Sequence, residues 1–109
     1  MTDQQDPNVS PDELLRAKLN METSLISWLE LQRHYAAGNV LHVSSELDLI
    51  EAAFQLAKDN KVIVAQWAQS ETVKAVSDEQ AKAWFNMKTE LWAIVVAPWV
   101  LVQDRSNQK

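Results

Sequence analysis

The sequence predicts a single α+β (or small α/β) domain in which a sheet of three or four strands is covered by about four or five helices. Three observations lead to this class. Serine-initiated capping boxes mark several helix starts, short runs rich in Val, Ile and Leu lie between them, and 109 residues is the length of one domain. Hydrophobic residues make up 47% and charged residues 23% of the chain, which is typical of a globular protein with one core.

The first two helices are predicted by two capping boxes. Residues 10–13 (SPDE) place a serine cap before a proline and a glutamate, and this helix is expected to run to about Met21. Residues 27–30 (SWLE) repeat the box and predict a second helix to Ala37. Gly38 then supplies a left-handed stop.

A short strand over residues 40–43 (VLHV) precedes a third predicted helix at about 46–59, capped by Ser44 or Ser45. Its apolar residues repeat with helical period on one side. The other side is polar and is expected to be solvated, which leaves its carboxylates with ordinary pKa values. That polar side carries Asp48, Glu51, Gln55, Lys58 and Asp59.

Residues 61–69 (KVIVAQWAQ) are ambiguous, because the Val-Ile-Val run favours a strand while Ile63 and Trp67 are spaced as on one helix face. Residues 72–76 read as a strand. A third capping box, residues 77–80 (SDEQ), predicts a helix to about Met87.

The last predicted strand, residues 91–97, has no polar residue on either face, so both faces must be covered. Residues 99–103 are expected to continue it beyond Pro98, which suggests an edge position or a bulge there. If helices cover one face, the other needs a second helical layer or another subunit. A homodimer, or contact with an unknown protein partner, is therefore predicted, with Trp92, Trp99 and Leu101 as candidate interface residues.

Five tryptophans are the compositional peculiarity of the chain. Trp28, Trp67 and Trp84 each fall on the apolar side of a predicted helix, which favours core packing. Trp92 and Trp99, in the C-terminal apolar run, are better candidates for a binding surface, where tryptophan is enriched.

The folded domain is predicted to span residues 10–103, between disordered polar tails at 1–9 and 104–109. The acidic N-terminus lacks the basic and apolar regions of a secretory signal. The longest apolar run, residues 91–102, is shorter than the roughly 18–20 residues that span a bilayer. A cytoplasmic protein without membrane contact is expected.

Charge and residue usage exclude several function classes. Ten basic residues against 15 acidic ones give a net charge of −5, which argues against nucleic acid as a partner. Zero cysteines exclude disulfides, thiolate zinc sites and cysteine nucleophiles, and a single glycine excludes Gly-rich phosphate loops. No cofactor is predicted.

The best candidate ligand site combines His42, Ser44 and Ser45, where a strand ends and a helix is expected to begin. Backbone N–H groups at such a junction can bind anions. Against this, Glu46 and Asp48 would place two negative charges in the first helical turn, so structural capping is the favoured interpretation.

Catalytic and metal sites find little support. His34 and His42 are possible general bases, with Asp48 or Glu51 to orient one of them, but no spacing brings these residues together. The same residues have no recognisable metal-ligand spacing. No catalytic residue is predicted.

The chain resembles a family of small bacterial proteins that is catalogued as a domain of unknown function. The resemblance covers roughly residues 14–103, and its most specific part is the ending APWVLVQ. It implies a helix for residues 61–69 and implies no activity, cofactor or catalytic residue. The segments that carry it are LLRAKLNMET (14–23), WLELQRHYAAGNV (28–40), ELDLIEAAFQLAKDN (46–60), SDEQAKAWF (77–85) and ELWAIVVAPWVLVQ (90–103).

Two hypotheses of different classes follow. The first is a small non-enzymatic protein that acts through protein–protein contact or self-association. The second is a small-molecule-binding domain or small enzyme with a pocket near His42 to Ser45.

Overall fold

A computed structural model describes residues 9–105, which form five helices and five strands. The helices are α1 (Pro11–Glu22), α2 (Trp28–Ala36), α3 (Leu49–Ala57), α4 (Lys61–Gln69) and α5 (Asp78–Asn86). The strands are β1 (Ser24–Ser27), β2 (Val40–Val43), β3 (Val73–Ala75), β4 (Glu90–Val96) and β5 (Trp99–Gln103). The α+β class and the helical assignment of residues 61–69 are confirmed. Most of the two predicted tails lies outside the described residues, and Asp104 and Arg105 at the C-terminal end make specific contacts.

The strands form one mixed sheet in the order β1-β4-β5-β2-β3. Only the β2–β5 pair is parallel, and the other three pairs are antiparallel. The prediction of three or four strands was one short, because the edge strand β1 has only two apolar residues and its last serine also caps α2.

Residues 99–103 do not extend the preceding strand, which corrects the sequence-based expectation. Ala97 and Pro98 form a turn, joined by a cis peptide bond, and β5 returns antiparallel beside β4. Pro98 therefore occupies a hairpin turn, where a missing N–H costs no ladder hydrogen bond, and not a sheet edge or bulge.

The β4–β5 hairpin is covered on both faces by helices of the same chain. The face covered by α2 and α5 is termed the front face, and the face covered by α1, α3 and α4 the back face. Of the two alternatives predicted for the second face, a further helical layer or another subunit, the chain supplies the helical layer, and Val95 on the front face remains 58% exposed. The front core contains Trp28, Leu31, Val40, Val76, Ala81, Trp84, Leu91, Ala93, Val100 and Val102. The back core contains Leu19, Val43, Leu49, Ala52, Ala53, Phe54, Val73, Ile94 and Leu101.

Local side chains fix the helix starts largely as predicted. Ser10 and Glu13 form a reciprocal capping box, and the hydroxyls of Ser27 and Ser77 accept backbone N–H groups of α2 and α5. The expected serine cap of α3 was wrong: the helix begins at Leu49, and the carboxylate of Asp48 is its cap.

The polar side of α3 is not simply solvated, because α1 packs beside it. Arg16 of α1 forms an ion pair with Glu51, and its guanidinium lies 3.9 Å from the centre of the Phe54 ring. Hydrogen bonds from the side chains of Gln55 and Arg16 hold the pKa of Glu51 below its ordinary value. A second ion pair joins Lys58 to Asp12 of α1, at 2.8 Å.

Four helices end at a residue with left-handed backbone, and only α2 uses glycine there (Gly38, φ 81°). Asp59, Glu71 and Lys88 occupy the corresponding positions after α3, α4 and α5, with φ values of 56°, 62° and 53°. A side chain with a Cβ is strained in this conformation.

Among residues 9–105, no helix is long and apolar enough to cross a bilayer.

We expect Lys88→Gly to raise the free energy of unfolding by about 0.5–1 kcal/mol, because glycine relieves the left-handed strain at an exposed position. Gly38→Ala should lower it by about 1 kcal/mol for the same reason, since no atom lies within 4 Å of the added Cβ. Urea unfolding followed by circular dichroism measures both. Equal stability of the two variants would contradict the left-handed backbone conformation assigned to residues 38 and 88.

Candidate functional site

A column of four aromatic rings runs through the front core. The ring centres of Trp28 and Trp84 lie 5.2 Å apart, Tyr35 lies 5.5 Å from Trp28, and His42 lies 5.4 Å from Trp84. All three contacts are tilted or edge-on, the arrangements that aromatic pairs favour. The column joins α2, α5 and β2, and it fixes the imidazole of His42 against the core.

Polar groups hold two rings of this column in place, Tyr35 at one end and Trp84 in the interior. The Tyr35 hydroxyl donates a hydrogen bond to Asp78, and this bond, with burial and the carboxylate charge, raises the pKa of Tyr35. The indole Nε1 of Trp84 donates to Oδ2 of Asp104 over 3.1 Å. Nε1 of Trp28, by contrast, is buried and finds no hydrogen-bond acceptor among residues 9–105.

The three residues predicted as a ligand site lie together in one polar cleft of about 340 Å³, here termed the His42 cleft. It opens where β2 and β5 end, and the beginning of β3 and the first part of α5 complete its walls. The residues that line it with titratable or hydroxyl groups are His42, Ser44, Ser45, Glu71, Lys74 and Asp104. Glu71, Lys74 and Asp104 were missed because they are distant in sequence from residues 42–45, with Glu71 and Lys74 at β3 and Asp104 after β5.

A buried glutamine holds the loop beside this cleft. Gln103 is 2% exposed, and its Nε2 donates to the carbonyl oxygens of Ser44 (2.9 Å) and Leu47 (2.7 Å). The backbone N–H of Ser44 donates to the carbonyl of Thr72. The loop between β2 and α3 is therefore tied to both neighbouring segments.

The helix start that motivated anion binding as an alternative to capping lies further along the chain than predicted. Because the helix begins at Leu49, the backbone N–H groups of its first turn lie beyond Ser44 and Ser45, and Asp48 already occupies the cap. The Ser44 hydroxyl instead accepts the backbone N–H of Glu46 within the loop.

Opposite charges lie on the two sides of the His42 imidazole. Lys74 is its partner in the β2–β3 register, and Asp104 is held nearby by Trp84. Burial and the charge of Lys74 lower the pKa of His42 below 6.5, while the charge of Asp104 partly opposes them. The neutral ring predominates at pH 7 and offers one donor and one acceptor.

The three candidate interface residues do not form one exposed patch. All three belong to the back face, where Leu101 is 1% exposed and lies in the core. Trp92 and Trp99 are half-buried at opposite ends of the β4–β5 hairpin, separated by four residues along β4, or about 13 Å. Trp99 lines a small cleft beside α4.

Trp92 lies in a second and larger cleft of about 610 Å³, here termed the Trp92 groove. Its floor is the beginning of β4, where β4 pairs with β1, and the loop after α5 forms one rim. The Arg105 guanidinium lies 5.3 Å from the centre of the Trp92 ring, within cation–π range. The side chains that define the groove chemically are Leu25, Met87, Lys88, Glu90, Trp92 and Arg105.

The structure separates the two histidines. His34, on α2, lines a different groove next to Leu29 and Val95. Within the described part of the chain, no cluster of three or more His, Asp or Glu side chains could hold a metal ion.

The core role predicted for Trp28 and Trp84 is confirmed, and Trp67 packs against the back core.

Comparison with known proteins identifies one family and one similar solved structure. The model of a family described as "Protein of unknown function (DUF2288)" matches residues 14–104. The NMR solution structure of PA1075 from Pseudomonas aeruginosa is similar to this chain with a TM-score of 0.77 and 38% sequence identity. The alignment covers 98% of this chain and 97% of that one. A search of curated proteins found no match.

We expect His42 to titrate below 6.5, with Lys74→Met raising its pKa and Asp104→Asn lowering it further, because these changes remove charges of opposite sign. NMR titration of the imidazole carbon-bound protons measures each value. Because the folded-state pKa lies below the unfolded one, the contribution of His42 to stability is complete above pH 6.5 and is lost as pH falls through the folded-state pKa. A His42 pKa that is the same in all three proteins would contradict this placement of charges.

Gln103→Met should lower the free energy of unfolding by about 2 kcal/mol, because it leaves the carbonyl of Leu47 without its buried donor and the carbonyl of Ser44 with only the backbone N–H of Leu47. Thermal or urea unfolding provides the measurement. Gln80→Met is the matched control, since Gln80 lines the same cleft and its side chain makes no hydrogen bond within residues 9–105. Equal effects of the two substitutions would refute the role given to Gln103.

Proposed function

The chain belongs to the DUF2288 family of proteins of unknown function, and we propose that it acts through protein–protein contact, with the Trp92 groove binding an acidic, partly apolar segment of a partner protein. One observation carries the proposal. In a chain of net charge −5, this groove combines two cationic side chains and a single acidic one with exposed apolar residues.

The charge of the groove supports an acidic partner. Lys88 and Arg105 are exposed cations, against one carboxylate from Glu90. Lys88 has no ion-pair partner among residues 9–105. The Nε of Arg105 donates a hydrogen bond to the side-chain oxygen of Gln103, which orients the guanidinium. Its two terminal nitrogens can donate a bidentate pair of hydrogen bonds to a carboxylate. Positive potential in an otherwise acidic surface favours carboxylate-bearing segments and speeds their association.

The apolar side chains of the groove supply the other half of a binding surface. Met87 is 77% exposed and Leu25 is 48% exposed, and both line the groove together with the half-buried Trp92. A tryptophan flanked by exposed aliphatic side chains and an arginine has the composition of an interface hot spot. Methionine adapts its shape to different partner side chains.

A second copy of the chain is less well matched to this groove. Two copies each carry a net charge of −5, so their long-range interaction is repulsive. The apolar face that motivated a homodimer is covered by helices of the same chain. We therefore assign the groove to a different protein, and we place this contact in the cytoplasm, in keeping with the absence of cysteine from the sequence.

Site-specific photocrosslinking in the native host tests the proposal. A benzoylphenylalanine at position 87 should give one discrete crosslinked product, and the same residue at position 62 should not. Val62 is a matched control, because it is 69% exposed and lies on α4, which packs at the opposite edge of the sheet. Mass spectrometry of the product should map the contact to a segment rich in Asp or Glu.

Charge reversal provides the second part of this test. Lys88→Glu with Arg105→Glu should reduce the crosslinked product at least about tenfold, because each lost charge-assisted contact weakens binding by about that factor. Lys61→Glu with Lys82→Glu makes the same change in net charge outside the groove and should leave the product intact. The proposal would be overturned if both double variants lost the crosslinked product, or if the contact mapped to a basic segment of the partner. A crosslinked product of twice 12.4 kDa, which indicates a second copy of the chain, would also overturn it.

A further inference from the structure

The His42 cleft lies at the carboxyl ends of the parallel strand pair β2 and β5. Ser44 and Ser45 follow β2 directly, and Asp104 follows β5. In open α/β sheets, ligands bind in the crevice outside the carboxyl ends of the parallel strands, and β2 and β5, the one parallel pair of the described sheet, have the cleft at those ends. The position of the cleft thus follows from the strand order.

The walls of the cleft are held in place without a ligand. Gln103 ties down the loop that carries both serines, and the Trp84 indole holds the carboxylate of Asp104. The ring of Trp84 also supports the imidazole of His42 from beneath. A site that is fixed in advance loses little conformational entropy when a small molecule binds.

A positive and a negative group both lie close enough to His42 for their charges to act on its imidazole. Lys74 lies beside His42 in the strand register, and the carboxylate of Asp104 lies near the same imidazole. The cleft volume of about 340 Å³ is enough for a molecule of amino-acid size. A ligand in the cleft therefore meets both charges at once.

Both charged groups can make further hydrogen bonds. The ion pair of Lys74 with Glu71 is long, at 3.3 Å, and both side chains are largely exposed, so the pair contributes little and a ligand carboxylate can replace it. The carboxylate of Asp104 has about four acceptor positions, so it can accept an N–H of an ammonium group in addition to the bond from Trp84 and its other contacts.

The same charges disfavour ligands that carry a single sign. A lone anion near Lys74 also meets Glu71 and Asp104, and a lone amine near Asp104 also meets Lys74. We propose that the His42 cleft is a binding site for a small zwitterion, whose carboxylate contacts Lys74, whose ammonium contacts Asp104, and whose polar atoms hydrogen-bond the ring of His42. This site is separate from the Trp92 groove and does not depend on the proposed partner.

NMR of the full chain with ¹⁵N-labelled tryptophan tests the proposal. The probes are the common L-amino acids and a spacing series of glycine, β-alanine, 4-aminobutanoate and 5-aminopentanoate, each added to ~10 mM, well above the Kd of a weak specific site. Propylamine and propanoate, which each carry one of the two charges, are the half-ligand controls. At least one zwitterion should shift the Trp84 indole signal saturably, because that N–H is bound to Asp104, and leave the Trp99 indole unchanged.

Variants then assign the two contacts. Asp104→Asn keeps an acceptor for the Trp84 indole, so the fold is retained while the charge is lost. This variant and Lys74→Met should each lower the affinity for the zwitterion at least about tenfold. Lys82→Met, outside the cleft, should leave that affinity unchanged. Absence of any saturable shift, equal binding of propylamine or propanoate alone, or unchanged affinity in either cleft variant would overturn the proposal.

Discussion

Because the β4–β5 hairpin carries apolar side chains on both faces, it must be covered by helices on each side, and the rest of the architecture follows from that requirement. Leu91 and Ala93 point to the front face, and Ile94 and Leu101 to the back. The chain meets the requirement by placing α2 and α5 on one side and α1, α3 and α4 on the other. The hairpin then occupies the middle of the sheet, and the shorter strands β1 and β3 form its edges.

The tryptophan pair of the front core connects this packing to the surface. Trp28 and Trp84 fill the space between two short helices and the sheet, which Leu or Val would leave partly empty. The aromatic column also orients polar groups, with Tyr35 at one end bonded to Asp78 and the inner ring of Trp84 bonded to Asp104. Burial of large rings and orientation of surface groups are therefore two results of the same contacts.

Three consecutive residues at the end of β5 serve three different environments. Gln103 is buried and holds the loop after β2, Asp104 lies in the His42 cleft, and Arg105 lies over Trp92 in the Trp92 groove. The last strand thus brings two surfaces of different chemistry close to one another. One is positively charged and apolar, which suits a protein segment, and the other has both charges, which suits a small polar molecule.

Residues close in sequence determined the elements that could be predicted. A serine and a glutamate three positions apart satisfy the first N–H groups of α1, and Gly38 adopts the left-handed conformation that ends α2. These effects need no knowledge of the rest of the chain. The same holds for the core role of Trp28 and Trp84, which helical periodicity alone indicates.

Only the tertiary structure decided the features that depend on distant partners. Ser24 to Ser27 become a strand because β4 offers an edge to pair with, and the chain reverses at Pro98 so that β5 can lie parallel to β2. His42, Ser44 and Ser45 were predicted as neighbours, but Lys74 and Asp104 join them through strand pairing. The groove around Trp92 likewise takes Leu25, Lys88 and Arg105 from three separate segments. Sequence patterns record local hydrogen bonding and burial, whereas the charges that meet at a site depend on the order and direction of the strands.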